Sequence, residues 1–171
     1  MNVYEAIRTR KSVRDFKDQP IEKEKLERIL KAVRLAPSAR NSQEWRFVIV
    51  QEKALRKKLA EAAYDQSFVG EGGAVVICCG ESGGRIMRCG QDPVPIDVAI
   101  AIDHLTLAAV EEGLGTCWIG SFYPEKVREL CGIPEDIVIV ELLALGYPKD
   151  FSPVKKNRLN LKEIVFYEKW K

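Results

Sequence analysis

One long apolar segment, residues 96–110, constrains the fold of this chain more than any other feature. Its polar members are Asp97, Asp103, His104 and Thr106. A helix that is apolar on almost every side has to be buried on almost every side. A chain of 171 residues can build one substantial core but is short for two independent domains. We therefore expect a single domain, residues 1–171, in which this helix serves both the core and a subunit interface.

The other hydrophobic patterns predict a mixture of helices and strands. Residues 74–79 are an apolar run typical of a strand buried on both faces. Residues 81–94 are rich in glycine and proline, so they form a long loop that either overhangs a site or is a mobile surface loop. Residues 150–171 end in apolar side chains, so this arm needs a surface on which to dock. The predicted helices span residues 2–10, 22–36 and 53–64, and the predicted strands span residues 45–50, 74–79 and 137–145.

Charge and cysteine content exclude several classes of protein. A formal net charge of +2, from 27 basic and 25 acidic residues, is too balanced for general attraction to nucleic acid or an acidic membrane. No apolar run reaches the roughly 20 residues of a membrane span, so we expect a soluble, cytoplasmic protein. The five cysteines contain no Cys-x-x-Cys pair and suit neither a disulfide framework nor a zinc site. Cys78 and Cys79 end an apolar run, which favours ordinary burial.

Two short basic clusters lie at opposite ends of the chain. Guanidinium groups and a serine hydroxyl are what a phosphate requires, since charge-assisted hydrogen bonds contribute roughly 1.5 to 3 kcal/mol each when shielded from water. Taken alone, the first cluster could equally be the solvated end of a helix. The clusters are Arg8, Arg10, Lys11 and Arg14 around Ser12, and Lys155, Lys156 and Arg158.

The common nucleotide-binding and nucleophile motifs are absent. In residues 113–120, Trp118 occupies the last glycine position of a dinucleotide fingerprint, and Ser121 and Phe122 follow where a triphosphate loop needs lysine and a hydroxyl. No serine lies in a nucleophile elbow. His104 has no obvious triad partners and fits a core or interface residue better than an acid or base. We therefore expect no catalytic side chain, with protons supplied by water.

The loop after the second predicted helix is rich in amide and hydroxyl groups. Within it, Asn41 and Gln43 each offer two donors and an acceptor, which suits the edge of a heterocycle or the hydroxyls of a sugar alcohol. The loop leads directly into the strand predicted at residues 45–50. This placement favours a ligand-binding role for the first basic cluster over a solvated helix end.

Four ordered motifs resemble those of the nitroreductase-like flavoprotein family over essentially the whole chain, in its compact form. They are RKSVR at residues 10–14, PSARNSQEW at 37–45, GLGTCWIG at 113–120, and GYP at 146–148 followed by KNR at 156–158. The resemblance implies an α+β fold with a central mixed, mainly antiparallel sheet flanked by helices. It also implies an intertwined homodimer with FMN bound at the subunit interface and with the C-terminal arm, residues 150–171, docked on the partner subunit.

Under this resemblance, three groups of residues would bind FMN. The phosphate and ribityl chain would be held by Arg10, Lys11, Ser12, Arg14, Lys156 and Arg158. The second motif, reaching in from the partner subunit, would contribute Pro37, Ser38, Ala39, Asn41 and Gln43. Trp118, Ile119 and Gly120 would lie along the isoalloxazine. The chain departs from the family pattern at Glu44 and Ala74, where proline is frequent. We expect Glu44 to face outward, because a buried unpaired carboxylate is costly.

The implied activity is that of an NAD(P)H-dependent oxidoreductase of the nitroreductase type. NADH or NADPH would deliver electrons and leave, and a small conjugated acceptor such as a nitroaromatic or a quinone would then be reduced on the same face, in a ping-pong cycle. Three alternatives remain open. They are a specialised flavoprotein of the same fold, such as a dehalogenase or flavin-cleaving enzyme, a non-catalytic flavin-binding or storage protein, and a small nucleic-acid-binding domain.

Overall fold

A four-stranded sheet forms the centre of the molecule, as a computed structural model of residues 1–170 shows. All neighbouring strands are antiparallel, in the spatial order β1-β2-β4-β3. A parallel bridge joins Ser12 to Thr116 at the edge of β3. The expected α+β fold with a mainly antiparallel sheet is therefore confirmed. The strands are β1 (Trp45–Val50), β2 (Ala74–Glu81), β3 (Gly115–Ile119) and β4 (Ile137–Gly146).

Strand β2 lies between β1 and β4, which explains its unbroken apolar sequence. Its first seven residues are all buried, as predicted for a strand covered on both faces. Successive side chains alternate between the two faces, so Val76 belongs to one hydrophobic core while Val75 and Ile77 belong to the other. The sheet thus separates two layers of helices.

The helices cover the two faces of the sheet in separate groups. Two of them, α2 (Lys23–Arg34) and α5 (Pro93–Glu111), share one core with the sheet. On the other face lie α3 (Lys53–Ala62), α4 (Ser67–Glu71) and α6 (Pro124–Cys131). Helix α1 (Val3–Thr9) packs against α5, and α7 (Leu161–Ile164) lies in the C-terminal segment.

Helix α5 is the apolar segment on which the fold depends. It begins at Pro93, with the Asp92 carboxylate accepting a hydrogen bond from the Val94 amide at 2.9 Å. Its length and composition would suffice to cross a membrane, but half of the apolar window is already buried within this chain. Ile96 remains 43% exposed. The helix is therefore a core helix with one face left uncovered by its own chain.

Several elements are shorter or more numerous than the sequence predicts. The helix predicted at residues 53–64 ends at Ala62, because Tyr64 and Asp65 adopt left-handed conformations with φ of 56° and 58°. The patterns did not predict β3, α4, α6 or α7. These elements are short, and β3 combines a glycine with a half-exposed tryptophan, so each gives little periodic signal.

The C-terminal segment, residues 150–170, runs along the surface with its apolar side chains open to solvent. Trp170 is 87% exposed and Leu161 is 73% exposed. The predicted arm also includes Lys171, which lies outside the described residues. So much apolar exposure supports the expectation that this arm docks elsewhere, which stays a prediction. The other strongly exposed apolar residues of the segment are Phe151, Val154, Leu159, Ile164, Val165 and Tyr167.

Candidate functional site

After α1, the chain runs in extended form along the edge of β3. The Val13 amide donates to the Thr116 carbonyl at 2.9 Å. Gly115 permits this close approach, because a Cβ at that position would lie 2.5 Å from a Val13 methyl group. Val13 is buried, so its neighbours Ser12 and Arg14 project to the opposite, exposed side. Two residues of the first predicted motif therefore share one face.

The C-terminal segment folds back onto this N-terminal region. Lys156 Nζ donates to the Ile7 carbonyl at 2.6 Å, and Lys11 Nζ donates to the Ser152 carbonyl at 2.8 Å. Lys11 also lies 3.9 Å from the Asp150 carboxylate. These contacts bring together two motifs that are about 140 residues apart in the sequence. In this arrangement Lys11 anchors the C-terminal segment rather than standing free.

Three cations converge where the two basic clusters meet. The pKa of Lys156 is lowered, first by partial burial and then by the positive charges of Arg10 and Arg158. No carboxylate contributes to this shift. A bound anion would relieve the repulsion, so the local electrostatics favour a phosphate-sized anion at this point. A cleft of about 170 Å³ adjoins the cluster and is lined in part by Arg10, Lys11 and Val110.

The second motif is tethered to the other end of α5. The Ala39 amide donates to Asp97 Oδ2 at 3.0 Å, and the Gln43 amide donates to Ser38 Oγ at 3.0 Å. Asp97 is itself 4% exposed, so this carboxylate is a buried anchor for the loop. The loop is therefore positioned by the core rather than held only by its own turns.

The same loop stores backbone strain. Arg40, Asn41 and Gln43 have φ values of 58°, 57° and 53°, in the left-handed region that residues with a Cβ adopt at a cost. Strain of this kind persists only where neighbouring contacts enforce it, and it clusters at ligand sites. The tethers to Asp97 and Ser38 supply that enforcement.

One protomer does not bring the two halves of the predicted site together. Asp97 holds the second motif, whereas Val110 lines the cleft beside the basic cluster. Along the helix these positions are about 20 Å apart, at about 1.5 Å per residue. The first motif (residues 10–14) and the last motif (residues 156–158) therefore meet within one chain, whereas the second motif (residues 37–45) lies apart from them. If the second motif contributes to the same site, it therefore has to come from a partner subunit.

The third motif, residues 113–120, contains strand β3 and the glycine that follows it. Trp118 Nε1 donates to Thr106 Oγ1 on α5 at 3.1 Å, which fixes the half-exposed indole. The Ile119 side chain is buried, so only its backbone is available to a ligand. Gly120 is exposed and lines an open cavity of about 490 Å³. The rest of that cavity is formed by Tyr64, Gln66, Ser121 and Phe122.

Glu44 does not face outward, contrary to the sequence-based expectation. Its side chain is 17% exposed, and Oε2 is buried without a hydrogen-bond partner among the described residues. Arg85 offsets the burial, since its guanidinium lies 3.6 Å from Glu44 Oε1. Arg85 also donates to the Ala39 carbonyl at 3.4 Å. The long loop between β2 and α5 is thus attached to the second motif, which favours the first of its two predicted roles, a loop that overhangs a site, over a mobile surface loop.

The cysteines are not activated for redox chemistry. Burial raises the pKa of Cys79 to about 11 and raises that of Cys78 well above its ordinary value. Burial also raises the pKa values of Cys117 and Cys131. A reactive thiol needs a lowered pKa, so these four side chains behave as small apolar groups.

Sequence reasoning missed the residues that position the motifs. Asp97 and Thr106 were visible as polar interruptions of an apolar helix, and each anchors a predicted site segment. Arg85 and Gln66 gave no comparable signal. Gln66 donates to the Ser121 carbonyl at 3.3 Å and is recognisable as part of the site only because the fold brings it there.

Comparison of the amino-acid sequence with known proteins identifies related chains. The nitroreductase family model matches residues 7–92 and 90–147. A relative from Archaeoglobus fulgidus, which carries the provisional name NADH dehydrogenase/NAD(P)H nitroreductase, is 38% identical, and the alignment covers 96% of each chain. The FMN reductase [NAD(P)H] of Bacillus subtilis is 29% identical, with 92% of this chain and 70% of that protein covered.

A solved structure agrees with the fold. The crystal structure of a nitroreductase family protein from Clostridium difficile matches with a TM-score of 0.88 and 32% sequence identity. The superposition covers 99% of this chain and all of that one. The similarity therefore extends over the arm and both motif-bearing termini as well as the sheet.

Proposed function

The chain belongs to the nitroreductase family, and we propose that it uses FMN to oxidise NAD(P)H and passes the electrons to a small conjugated acceptor. The acceptor class we propose is a nitroaromatic or a quinone, reduced by a ping-pong cycle in which donor and acceptor occupy the same face in turn. The names of its relatives, which include an FMN reductase [NAD(P)H], support the cofactor and the electron donor.

The observation that carries this proposal is the convergence of Arg10, Lys156 and Arg158. Partial burial, and then the positive charges of Arg10 and Arg158, lower the pKa of Lys156, and a phosphate bound beside these three cations would offset their repulsion. The residues present therefore fit the phosphate of FMN, and Ser12 and Arg14, which follow Arg10 in the sequence, are exposed as well. When bound, the flavin would supply hydride-transfer chemistry, while the protein supplies position and electrostatics.

The other assigned residues would fix the ring system. The backbone of Ile119 and Gly120 would face the isoalloxazine, because the Ile119 side chain is buried and Gly120 has none. The indole of Trp118, held by Thr106, would border it. Lys11 would act indirectly, by holding the C-terminal segment through Ser152. The nearby cations would also stabilise negative charge that develops on electron uptake.

We further propose that the active enzyme is a homodimer. Pro37, Ser38, Ala39, Asn41 and Gln43 would then reach the flavin held by the partner, which the length of α5 prevents within one chain. The exposed face of α5 and the apolar C-terminal arm would supply the interface. We place the enzyme in the cytoplasm, where NAD(P)H is available and unpaired thiols stay reduced.

The first test is the visible spectrum of the purified protein, followed by anaerobic addition of NADH and NADPH in separate samples. We expect flavin bands near 370 and 450 nm, roughly the positions for free flavins, that bleach with at least one of the two donors. A colourless protein that cannot be loaded with FMN would contradict the proposal. A yellow protein that neither donor reduces would instead support a binding or storage role.

A further inference from the structure

The end of β3 leaves an open corner in the sheet. Strand β3 pairs with β4 only from Leu142 to Gly146, although β4 begins at Ile137. The first half of β4 therefore has β2 on one side and an unpaired edge on the other. Glu141 is the β4 residue that lies where β3 stops. A charged side chain at this corner needs an explanation.

A β-bulge turns the strand at this residue. Cys78 of β2 pairs with Glu141, but the next residue, Cys79, pairs with Ile139, so Val140 is the extra residue. Bulges re-aim side chains and occur frequently beside active sites. The irregularity thus coincides with the one acidic residue of β4.

The Glu141 carboxylate lies against Gly120. A methyl group placed on Gly120 would be 3.6 Å from Oε1 and 3.9 Å from Oε2. Glu141 is partly buried, and none of the hydrogen bonds or ion pairs found across residues 1–170 involves its carboxylate. The carboxylate therefore stands beside an exposed, side-chain-free stretch of backbone with its hydrogen-bonding capacity unused.

The surroundings of Glu141 favour its protonated form. Burial raises its pKa, and no charged side chain contributes to that shift. Its titratable neighbours are the thiols of Cys78 on β2 and Cys117 on β3, both of which have raised pKa values and stay neutral. A raised pKa makes the protonated carboxyl group more populated than that of a free glutamate, which suits a proton donor.

We propose that Glu141 donates the proton that accompanies reduction of the electron acceptor. This role rests on the proposed function, because Gly120 is among the residues assigned to the isoalloxazine. The acceptor would bind over Gly120, where an oxygen of its conjugated system contacts the Glu141 carboxyl group. The motifs assigned to FMN would hold the cofactor, and Glu141 would add an acid at the place where the acceptor is reduced.

The step balances in atoms and electrons. Two-electron reduction of a quinone adds one hydride equivalent and one proton, giving the hydroquinone. NAD(P)H supplies the hydride equivalent and becomes NAD(P)⁺. Glu141 supplies the proton to the second quinone oxygen as its O–H bond breaks, and the resulting carboxylate takes a proton back from water.

The test compares Glu141→Gln, which keeps the shape but loses the acid, with wild type. Enzyme loaded with FMN and reduced by one equivalent of NAD(P)H is mixed with a benzoquinone, and the single-turnover rate is followed from pH 5 to 9. We expect the wild-type rate to fall as pH rises through the Glu141 pKa. We expect the variant to be slower by about 100-fold at the acidic end, a typical contribution of a general acid, and insensitive to pH.

Two further measurements separate this role from a structural one. FMN affinity and the rate of reduction by NAD(P)H should change less than about twofold in the variant, since neither needs this proton. In the cofactor-free protein, a carboxyl pKa that is higher in the folded state than in the unfolded state adds stability at pH values below the unfolded-state pKa. That added stability is lost as pH rises through the folded-state pKa. Glu141→Gln should therefore gain unfolding stability relative to wild type as pH rises.

Asp136→Asn provides the matched control. Asp136 is exposed just before β4, so its neutralisation should leave every profile at wild-type values. A Glu141→Gln enzyme with the wild-type rate and pH dependence would overturn this inference, while intact reduction by NAD(P)H would leave the proposed function standing. A wild-type protein that binds no flavin would overturn the proposed function and this role with it.

Discussion

At the scale of single residues, the candidate site is marked by charged groups whose interactions are incomplete. The positive charges of Arg10 and Arg158 both act on Lys156, and one buried oxygen of Glu44 has no hydrogen-bond partner among residues 1–170. Folding alone does not favour such arrangements, because each leaves an electrostatic cost uncompensated. They become favourable when a ligand or a second subunit supplies the missing charge or donor. Unsatisfied groups therefore mark where this molecule is built to bind.

The first prediction concerns the basic cluster. Arg158→Ala should weaken FMN binding by about 2 kcal/mol, or roughly 30-fold in Kd, the cost of one shielded charge-assisted contact. Fluorescence titration of the cofactor-free protein with FMN measures this change. Arg34→Ala, at the exposed end of α2, is the control and should bind FMN normally. Equal affinities for the two variants would remove Arg158 from the site.

At the scale of elements, α5 organises all three parts of the site. Asp97 near its start holds the second motif, Thr106 in its middle holds Trp118, and Val110 near its end lines the cleft beside the basic cluster. Buried polar groups on a helix are retained where they satisfy hydrogen bonds that the fold needs. The few polar residues of this apolar helix therefore work as anchors for functional loops.

The second prediction tests the Asp97 anchor. Asp97→Ala leaves the Ala39 amide without its acceptor, so we expect a loss of about 1 to 3 kcal/mol in unfolding free energy, together with weaker FMN binding as the strained loop relaxes. Denaturant unfolding of the cofactor-free protein and FMN titration measure the two effects. Asp136→Ala, which removes an exposed carboxylate outside α5, should change neither. If the loop were anchored elsewhere, the Asp97→Ala variant and the control would have the same unfolding free energy and the same FMN affinity.

At the scale of the whole molecule, one chain forms only part of the predicted site. The basic cluster and β3 lie toward one end of α5, and the second motif lies at the other. Meanwhile the C-terminal arm exposes apolar side chains that a soluble monomer rarely leaves in water. A second copy of the chain would cover this surface and complete the site. Assembly and cofactor binding should therefore depend on each other.

The third prediction follows from that dependence. Replacing Leu161, Ile164 and Trp170 by serine in the full-length chain should weaken the dimer, because these exposed side chains would lose their apolar contacts with the partner. Sedimentation velocity over a range of protein concentrations measures the change, and FMN occupancy should fall with it. The control replaces Lys162 and Lys169 by serine. A stable, flavin-loaded dimer in the triple variant would show that the arm does not dock in this way.

Much of the fold was predictable from local pattern, and the reasons are visible in particular elements. Strand β1 has the predicted bounds, and β2 is buried on both faces as its composition requires. Helix α2 ends two residues before Ala36, ahead of Pro37, because proline restricts the residue before it. The elements that were missed, such as β3, are short and gain stability from neighbours that are distant in sequence.

By itself, the sequence determined the family, the buried centre of the sheet, and the residue types able to hold a phosphate, because these depend on local composition and motif order. Only the tertiary structure decided which of these residues meet. Hydrogen bonds between residues some 140 positions apart brought Lys156 and Arg158 to Arg10, and the length of α5 kept the second motif away. The tertiary structure also turned Glu44 inward against Arg85 and placed Glu141 beside Gly120. Such positions follow from long-range packing, which no local sequence pattern encodes.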